Sequence, residues 1–299
     1  SGVIVMGPGK LTLNGTRTST ADFDKFGPGL LEVTGNHSGS TGATLVWGGT
    51  YRASSANALT AGVLAMADSV LELGYDFTRA LGTATGQVQG RRDDNGGGNN
   101  TLAASFGFSA YGADRTVNLA ATNSATATLF SSGTAPITFT GPFTNASVAT
   151  FTKTLTLGGT NTGANEITSI LGNGAGGGSL AVSLIDTAAW KLSGNSSYSG
   201  GTTVGNTARL NIAHANALGT GTLNIANGSF DNAAGSDLTI PNAASVTGNP
   251  TFAGTSPLTI GGDTTLAGTG TRRTLVISAG TLTLGGVVSG SKGLGKSGL

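Results

Sequence analysis

Along this chain, two apolar residues repeatedly flank one small or polar residue. The pattern runs through Leu11-Thr12-Leu13, Leu31-Glu32-Val33, Leu64-Ala65-Met66 and Leu71-Glu72-Leu73, then Val117-Asn118-Leu119, Ile137-Thr138-Phe139, Leu155-Thr156-Leu157 and Leu180-Ala181-Val182. The last third adds Leu223-Asn224-Ile225, Leu238-Thr239-Ile240, Leu258-Thr259-Ile260, Leu275-Val276-Ile277 and Leu282-Thr283-Leu284. Successive side chains of a strand point to opposite faces, so each triplet predicts a short strand with one buried face. Several triplets recur roughly 20 residues apart, the length of a coil made of two or three short strands. The expected fold is all-β: a right-handed parallel β-helix, or β-solenoid, with irregular rungs of about 20 residues, its hand following the general bias of parallel crossovers. A sandwich or barrel would call for longer strands punctuated every ~8–12 residues.

A longer repeat overlies the short one. Leu31-Glu-Val-Thr-Gly35-Asn36 matches Trp190-Lys-Leu-Ser-Gly194-Asn195. Ala56-Asn57-Ala58-Leu59 then matches Ala215-Asn216-Ala217-Leu218, and Gly62 with Leu64 matches Gly221 with Leu223, all at one offset of 159 residues. One continuous solenoid over 1–299 is expected, with a first divergent module in 1–150 and a second in 151–299. Leu11, Leu13, Leu155, Leu157, Trp190, Leu192, Leu223, Ile225, Leu282 and Leu284 are the expected core. Gly35, Gly194, Asn57 and Asn216 are the expected corners, because Asn tolerates the left-handed backbone and bonds its own main chain. Asn36 and Asn195 recur beside them and could stack into side-chain ladders.

Composition narrows the function. Of 299 residues 52 are Gly, and only 10% are charged. Helices rich in Gly lose about 1 kcal/mol per interior residue, so a helical bundle is excluded. No apolar run approaches the ~18 residues of a membrane helix, so no membrane insertion is expected. Fifteen Lys and Arg against 14 Asp and Glu, scattered along the chain, leave no basic footprint for nucleic acid. Cys is absent, which removes disulfides, thiolate metal ligands and a Cys nucleophile.

The stretch Lys191-Leu-Ser-Gly-Asn-Ser-Ser-Tyr198-Ser-Gly200-Gly-Thr-Thr203-Val, followed by the turn Ala215 to Gly219, resembles the autotransporter-associated β-strand repeat, also called the passenger-associated transport repeat. The C-terminal Gly285-Gly-Val-Val-Ser-Gly-Ser-Lys-Gly-Leu-Gly-Lys-Ser-Gly-Leu299 is similar to the segment that introduces a further copy, and Leu71 to Gly82 resembles companion segments of very long repeat proteins of Planctomycetes and Verrucomicrobia. The likeness covers 170–299 well and 1–120 more weakly, and the position of Tyr198 falls on Gly39 in the first copy. It implies a secreted or cell-surface bacterial β-helical rod, a passenger or fibre segment, with no catalytic motif to carry over. Self-association end to end, or continuation in a longer chain, is the expected partnership. Glycan or cell-surface contacts are the alternative, with Tyr51, Tyr75, Tyr111 and Tyr198 expected to line one groove.

Sites with chemistry are few, and no cofactor, metal or catalytic residue is assigned. Gly172-Asn-Gly174-Ala-Gly-Gly177 has the spacing of a dinucleotide fingerprint, but a strand-like Ser179–Ile185 follows where a helix is needed, which reads as a turn. Arg91 to Asn100 is the densest charged loop and could offer oxygens to Ca²⁺, although two arginines neutralise its carboxylates. A polysaccharide-cleaving enzyme would need two carboxylates roughly 5–10 Å apart; Asp22, Asp24 and Lys25 form the best trio, with Asp186 and Asp263 isolated. Glu32 and Glu72 are expected on outer faces. His37 and His214 are expected in solvated turns. Thr154-Leu-Thr156 and Thr281-Leu-Thr283 carry the threonine spacing of ice-binding solenoids, but outward positions vary too much for a flat array.

Overall fold

The computed structural model describes residues 2–4, 7–90, 106–119, 121–123, 127–145, 151–174 and 176–299. Its strands pair in parallel with strands one turn away, and the helical elements among the described residues amount to one short turn, Ala56–Ala58. The expected parallel β-solenoid is present, with about 12 turns of about 21 residues. The chain divides into two compact units, Ser1–Pro142 and Phe143–Leu299.

In the second unit, one sheet face is built from Lys153–Gly159, Leu180–Leu184, Thr202–Val204, Leu223–Ile225, Ala244–Val246, Thr264–Leu266 and Val288–Gly290. The register stacks like on like. Leu157, Leu184, Val204, Ile225, Val246 and Leu266 form one inward column, each directly above the last. On the next face Trp190, Leu210, Phe230 and Phe252 stack in the same way, and the two phenylalanine rings meet at 5.4 Å. Trp190 is fully buried and donates from Nε1 to Gly158 O at 3.2 Å, so its one polar atom is satisfied. The third face, Leu238–Ile240, Leu258–Ile260 and Leu282–Leu284, repeats the alternation with Thr239, Thr259 and Thr283 aligned on its outer side.

The first unit follows the same rule with longer strands. Leu64–Met66 and Leu71–Leu73, two triplets in sequence, belong to one run, Leu64–Leu73, bent at Asp68, whose φ is 45°. The neighbouring Thr44–Ala53, which the triplet pattern does not mark, pairs with it along its length. Leu31, Tyr51, Leu71 and Phe108 stack inward, and Phe108 packs edge to face on Phe106 and Phe139.

Of the residues read as core, Leu155, Leu157, Trp190, Leu192, Leu223 and Ile225 are buried. Leu13 is half-buried, and Leu282 and Leu284 lie half-buried against Val246, Leu266 and Leu275. Leu11 departs from expectation: it is 39% exposed. Among the described residues its strand Lys10–Leu13 pairs only with Leu30–Val33, so its side chain is covered from one side.

The repeat shows as matched hydrogen bonds. His37 N donates to Asn57 O at 2.7 Å, and Ser196 N, 159 residues on, donates to Asn216 O at 3.2 Å. Asn57 and Asn216 themselves are exposed. Gly35 and Gly194 sit at the preceding corner for a steric reason. A Cβ on Gly35 would lie 2.1 Å from Gly15 O, and one on Gly194 would lie 2.1 Å from Ser169 O. The turn below passes too close for any side chain.

Gly194→Ala is therefore expected to lower stability by roughly 1–3 kcal/mol, as overpacking does. Gly9→Ala, with nothing within 4 Å of its Cβ, is expected to change it by less than about 0.5 kcal/mol. Chemical denaturation of the two variants side by side checks this; equal effects would remove close approach as the reason for the corner glycines.

Candidate functional site

The densest polar constellation is a ladder of charge on the outer side of the first unit. Thr12, Glu32, Arg52 and Glu72 occupy the same register position on successive strands. Lys10 Nζ donates to Glu32 at 2.9 Å, Arg52 Nη1 donates to Glu32 at 3.1 Å, and Arg52 Nε donates to Glu72. Thr12 adds a hydroxyl to Glu32 at 3.1 Å. Hydrogen bonds from Lys10 and Arg52 hold the Glu32 carboxyl below the usual carboxylate range. The Arg52 guanidinium also lies over the Tyr111 ring, 3.7 Å from its centroid. With plus and minus alternating at strand spacing, each charge is neutralised by its neighbours. Such an arrangement is a clamp between turns rather than a carboxylate pair open to a substrate. In the second unit Glu166 and Lys191 repeat the motif once, at 2.8 Å and in direct register.

Three of the four aspartates suspected of acid–base chemistry are spent on the backbone. Asp22 Oδ1 accepts from Ala43 N, Asp186 Oδ2 from Gly159 N, and Asp263 Oδ1 from Val287 N, each reaching an adjacent turn at 2.8–3.1 Å. Asp76 does the same for Thr116 N, and Asp231 for Gly254 N and Thr255 N. Strand alternation splits the trio Asp22, Asp24 and Lys25. Asp24 is half-buried on the outer side, whereas Lys25 points inward above Val46 and is fully buried. Its ammonium donates to Gly48 O at 2.9 Å and to Gly27 O, and burial holds its pKa below the ordinary lysine value. No general acid–base pair is assembled there.

Asparagines continue the same work. Asn216 Nδ2 donates to Asn195 Oδ1 at 2.9 Å, which is the anticipated side-chain ladder. A second ladder, Asn206, Asn227, Asn249 and Thr274 N, climbs one corner of the second unit by bonds of 2.8–3.1 Å. Asn36 instead folds its amide oxygen onto Ser38 N within its own loop.

Two further expectations are corrected. The tyrosines do not line one groove: Tyr51 and Tyr198 are fully buried, Tyr75 is half-buried, and Tyr111 is 43% exposed. Tyr51 Oη donates to Ala58 O at 2.6 Å, Tyr198 Oη meets Thr202 Oγ1 at 2.5 Å, and burial raises both phenols. Their hydroxyls serve buried corners. His37 is not solvated either; it is buried edge-on to Phe23 at 5.3 Å. Its place in the repeat is the inner corner held by Ser196 in the second copy. Burial, then the nearby Arg17, lowers its pKa.

Compared with protein-family models, with curated proteins and with solved structures, the chain matches none. Function therefore rests on the geometry. Among the described residues, no three His, Cys, Asp or Glu side chains gather as metal ligands. The loop Arg91 to Asn100 lies outside the described residues. In the glycine-rich turn, Asn173 Oδ1 accepts from Leu180 N and Ser199 N, and the strand Leu180–Leu184 follows. That geometry secures a corner. The outward column of the adjoining face reads Thr156, Ser183, Thr203, Asn224, Ser245, Thr265 and Ser289, hydroxylic but not a threonine array.

Arg52→Ala leaves Glu32 and Glu72 without their shared cation and is expected to destabilise the chain by roughly 1–3 kcal/mol, the range for hydrogen bonds to charged groups. Added salt should narrow the difference, because screening weakens the intact ladder. A salt-independent loss in thermal denaturation would contradict an electrostatic clamp.

The two shifted groups act in separate pH windows. The folded state resists protonating His37, so below about pH 6.5 the unfolded chain binds that proton first and stability falls until the native pKa is passed. Glu32 acts lower: its contribution is complete above about pH 4.3 and is lost as pH falls through its depressed native value. Melting temperatures between pH 7.5 and 5.5 are expected to decline in the wild type and to be flatter in His37→Asn. Parallel slopes would exclude His37 as the source.

Proposed function

We propose that this chain is a structural element, a β-solenoid rod that forms a segment of a bacterial surface fibre or of an autotransporter-type passenger outside the cell. One observation carries the reading. Among the described residues, Asp22, Asp76, Asp186, Asp231 and Asp263, with the Glu32–Arg52–Glu72 ladder, bind one turn to the next, so these side chains are engaged in holding the stack. A mechanical role asks for such ties and for uninterrupted backbone pairing, and needs no cleft.

Solenoids lengthen by adding turns. Continuation of the stack by a further turn, in a longer chain or from a second copy, is the partnership this reading carries. A head-to-tail contact between copies would not close on itself and would grow into a filament.

Electron microscopy of the native assembly tests the reading. Slender particles or filaments of uniform width, with an axial repeat near the strand spacing of about 4.8 Å in diffraction, are expected. Compact isolated particles of the full native protein would overturn it. Resistance to proteolysis under conditions that digest an unfolded control is the expected companion result.

A further inference from the structure

Arg273 is a buried cation that forms no ion pair among the described residues. It lies on the strand Arg272–Ile277, where alternation sends Arg272 outward and Arg273 inward, leaving it 5% exposed. Its Nη1 donates to Thr247 O, one turn away, at 3.1 Å. Nε and Nη2 are buried and meet no acceptor among the described residues. These two nitrogens share one edge of the guanidinium and donate in parallel, the fork that fits two oxygens of a single oxyanion.

The stretch 264–299 offers no carboxylate partner: it holds Arg272, Arg273, Lys292 and Lys296 and no Asp or Glu. Of the carboxylates of the preceding turns, Asp263 is engaged with Val287 N and Asp231 with Gly254 N and Thr255 N, while Asp237 is exposed. Over the fork runs the exposed loop 268–271, with Gly268 and Gly270 at φ of 85° and 82°. A Cβ on Gly270 would come within 3.3 Å of Arg273 Nη2, so the loop lies beside that end of the guanidinium.

We propose that this corner is an oxyanion site, in which a sulfate, phosphate or carboxylate group seats on the Nε–Nη2 edge of Arg273 beneath the loop 268–271. Arg272 and Lys292, with Lys296 beyond, supply a positive field that favours the approach of an anion. The site stands independently of the rod-like role.

The full chain is titrated with sodium sulfate, sodium phosphate and sodium acetate, each against sodium chloride at matched ionic strength, while melting temperature and arginine Nε–H resonances are followed. At least one oxyanion is expected to raise the melting temperature saturably beyond chloride and to shift one buried Nε–H signal. Which anion does so separates a carboxylate source from a sulfate or phosphate ester. Arg273→Lys, which keeps the charge and removes the fork, is expected to weaken binding by roughly tenfold or more, and Arg272→Gln by less than about twofold. No oxyanion outperforming chloride would overturn the proposal, as would equal losses in the two variants, which would mark a diffuse positive surface. Should Arg273→Lys fail to fold, the Nε–H shift in the wild-type chain decides alone: a saturable shift upholds the site and its absence removes it.

Discussion

Parallel hydrogen bonding between one turn and the next is the interaction on which the rest of this structure depends. Because a strand pairs with its neighbour one turn away in fixed register, a side chain's surroundings are set chiefly by the residues about 21 positions before and after it. Leu157 requires Leu184 above it, and Phe230 requires Phe252, since a one-residue slip would turn each inward side chain to the outer face. The same constraint brings corners together at backbone distance, and it is why Gly35 and Gly194 have no room for a Cβ.

Electrostatics in this chain serves that pairing. A stack of turns aligns like positions, and aligned like charges would repel. The first unit answers with alternation, Lys10, Glu32, Arg52 and Glu72, so each contact is attractive. Elsewhere, single carboxylates and amides accept backbone N–H groups where a strand ends and the ladder would leave a donor unpaired. Asp22, Asp231 and Asp263 owe their positions to this need. A scarcity of charge is thus compatible with a structure in which nearly every carboxylate discussed has a task.

Much of this was legible in the sequence. The apolar–polar–apolar triplets at roughly 20-residue spacing predict parallel turns, and the offset of 159 residues predicts a repeated module, within which the structure pairs His37 with Asn57 and Ser196 with Asn216. The candidate chemistry was less legible. Asp22, Asp24 and Lys25 are adjacent in sequence, yet alternation sends Lys25 inward and Asp24 outward, while Asp22 turns to Ala43. Tyr51 and Tyr198 carry no mark that separates a buried corner phenol from an exposed one, and Thr44–Ala53 breaks the triplet pattern with its central glycines.

By itself, then, the sequence determined the class of fold, because period-2 alternation and coil length are local properties that each segment carries alone. It also determined the scarcity of charged residues, 10% of the chain. Tertiary structure decided which face each corner residue takes, which carboxylate meets which N–H, and that Leu11 lies open while His37 lies buried. It also left Arg273 beneath a glycine loop with half its guanidinium unmatched. Those outcomes depend on what the adjacent turns place against a residue, and that is set by register and corner geometry across about 20 intervening residues rather than by the residue's own neighbours in the chain.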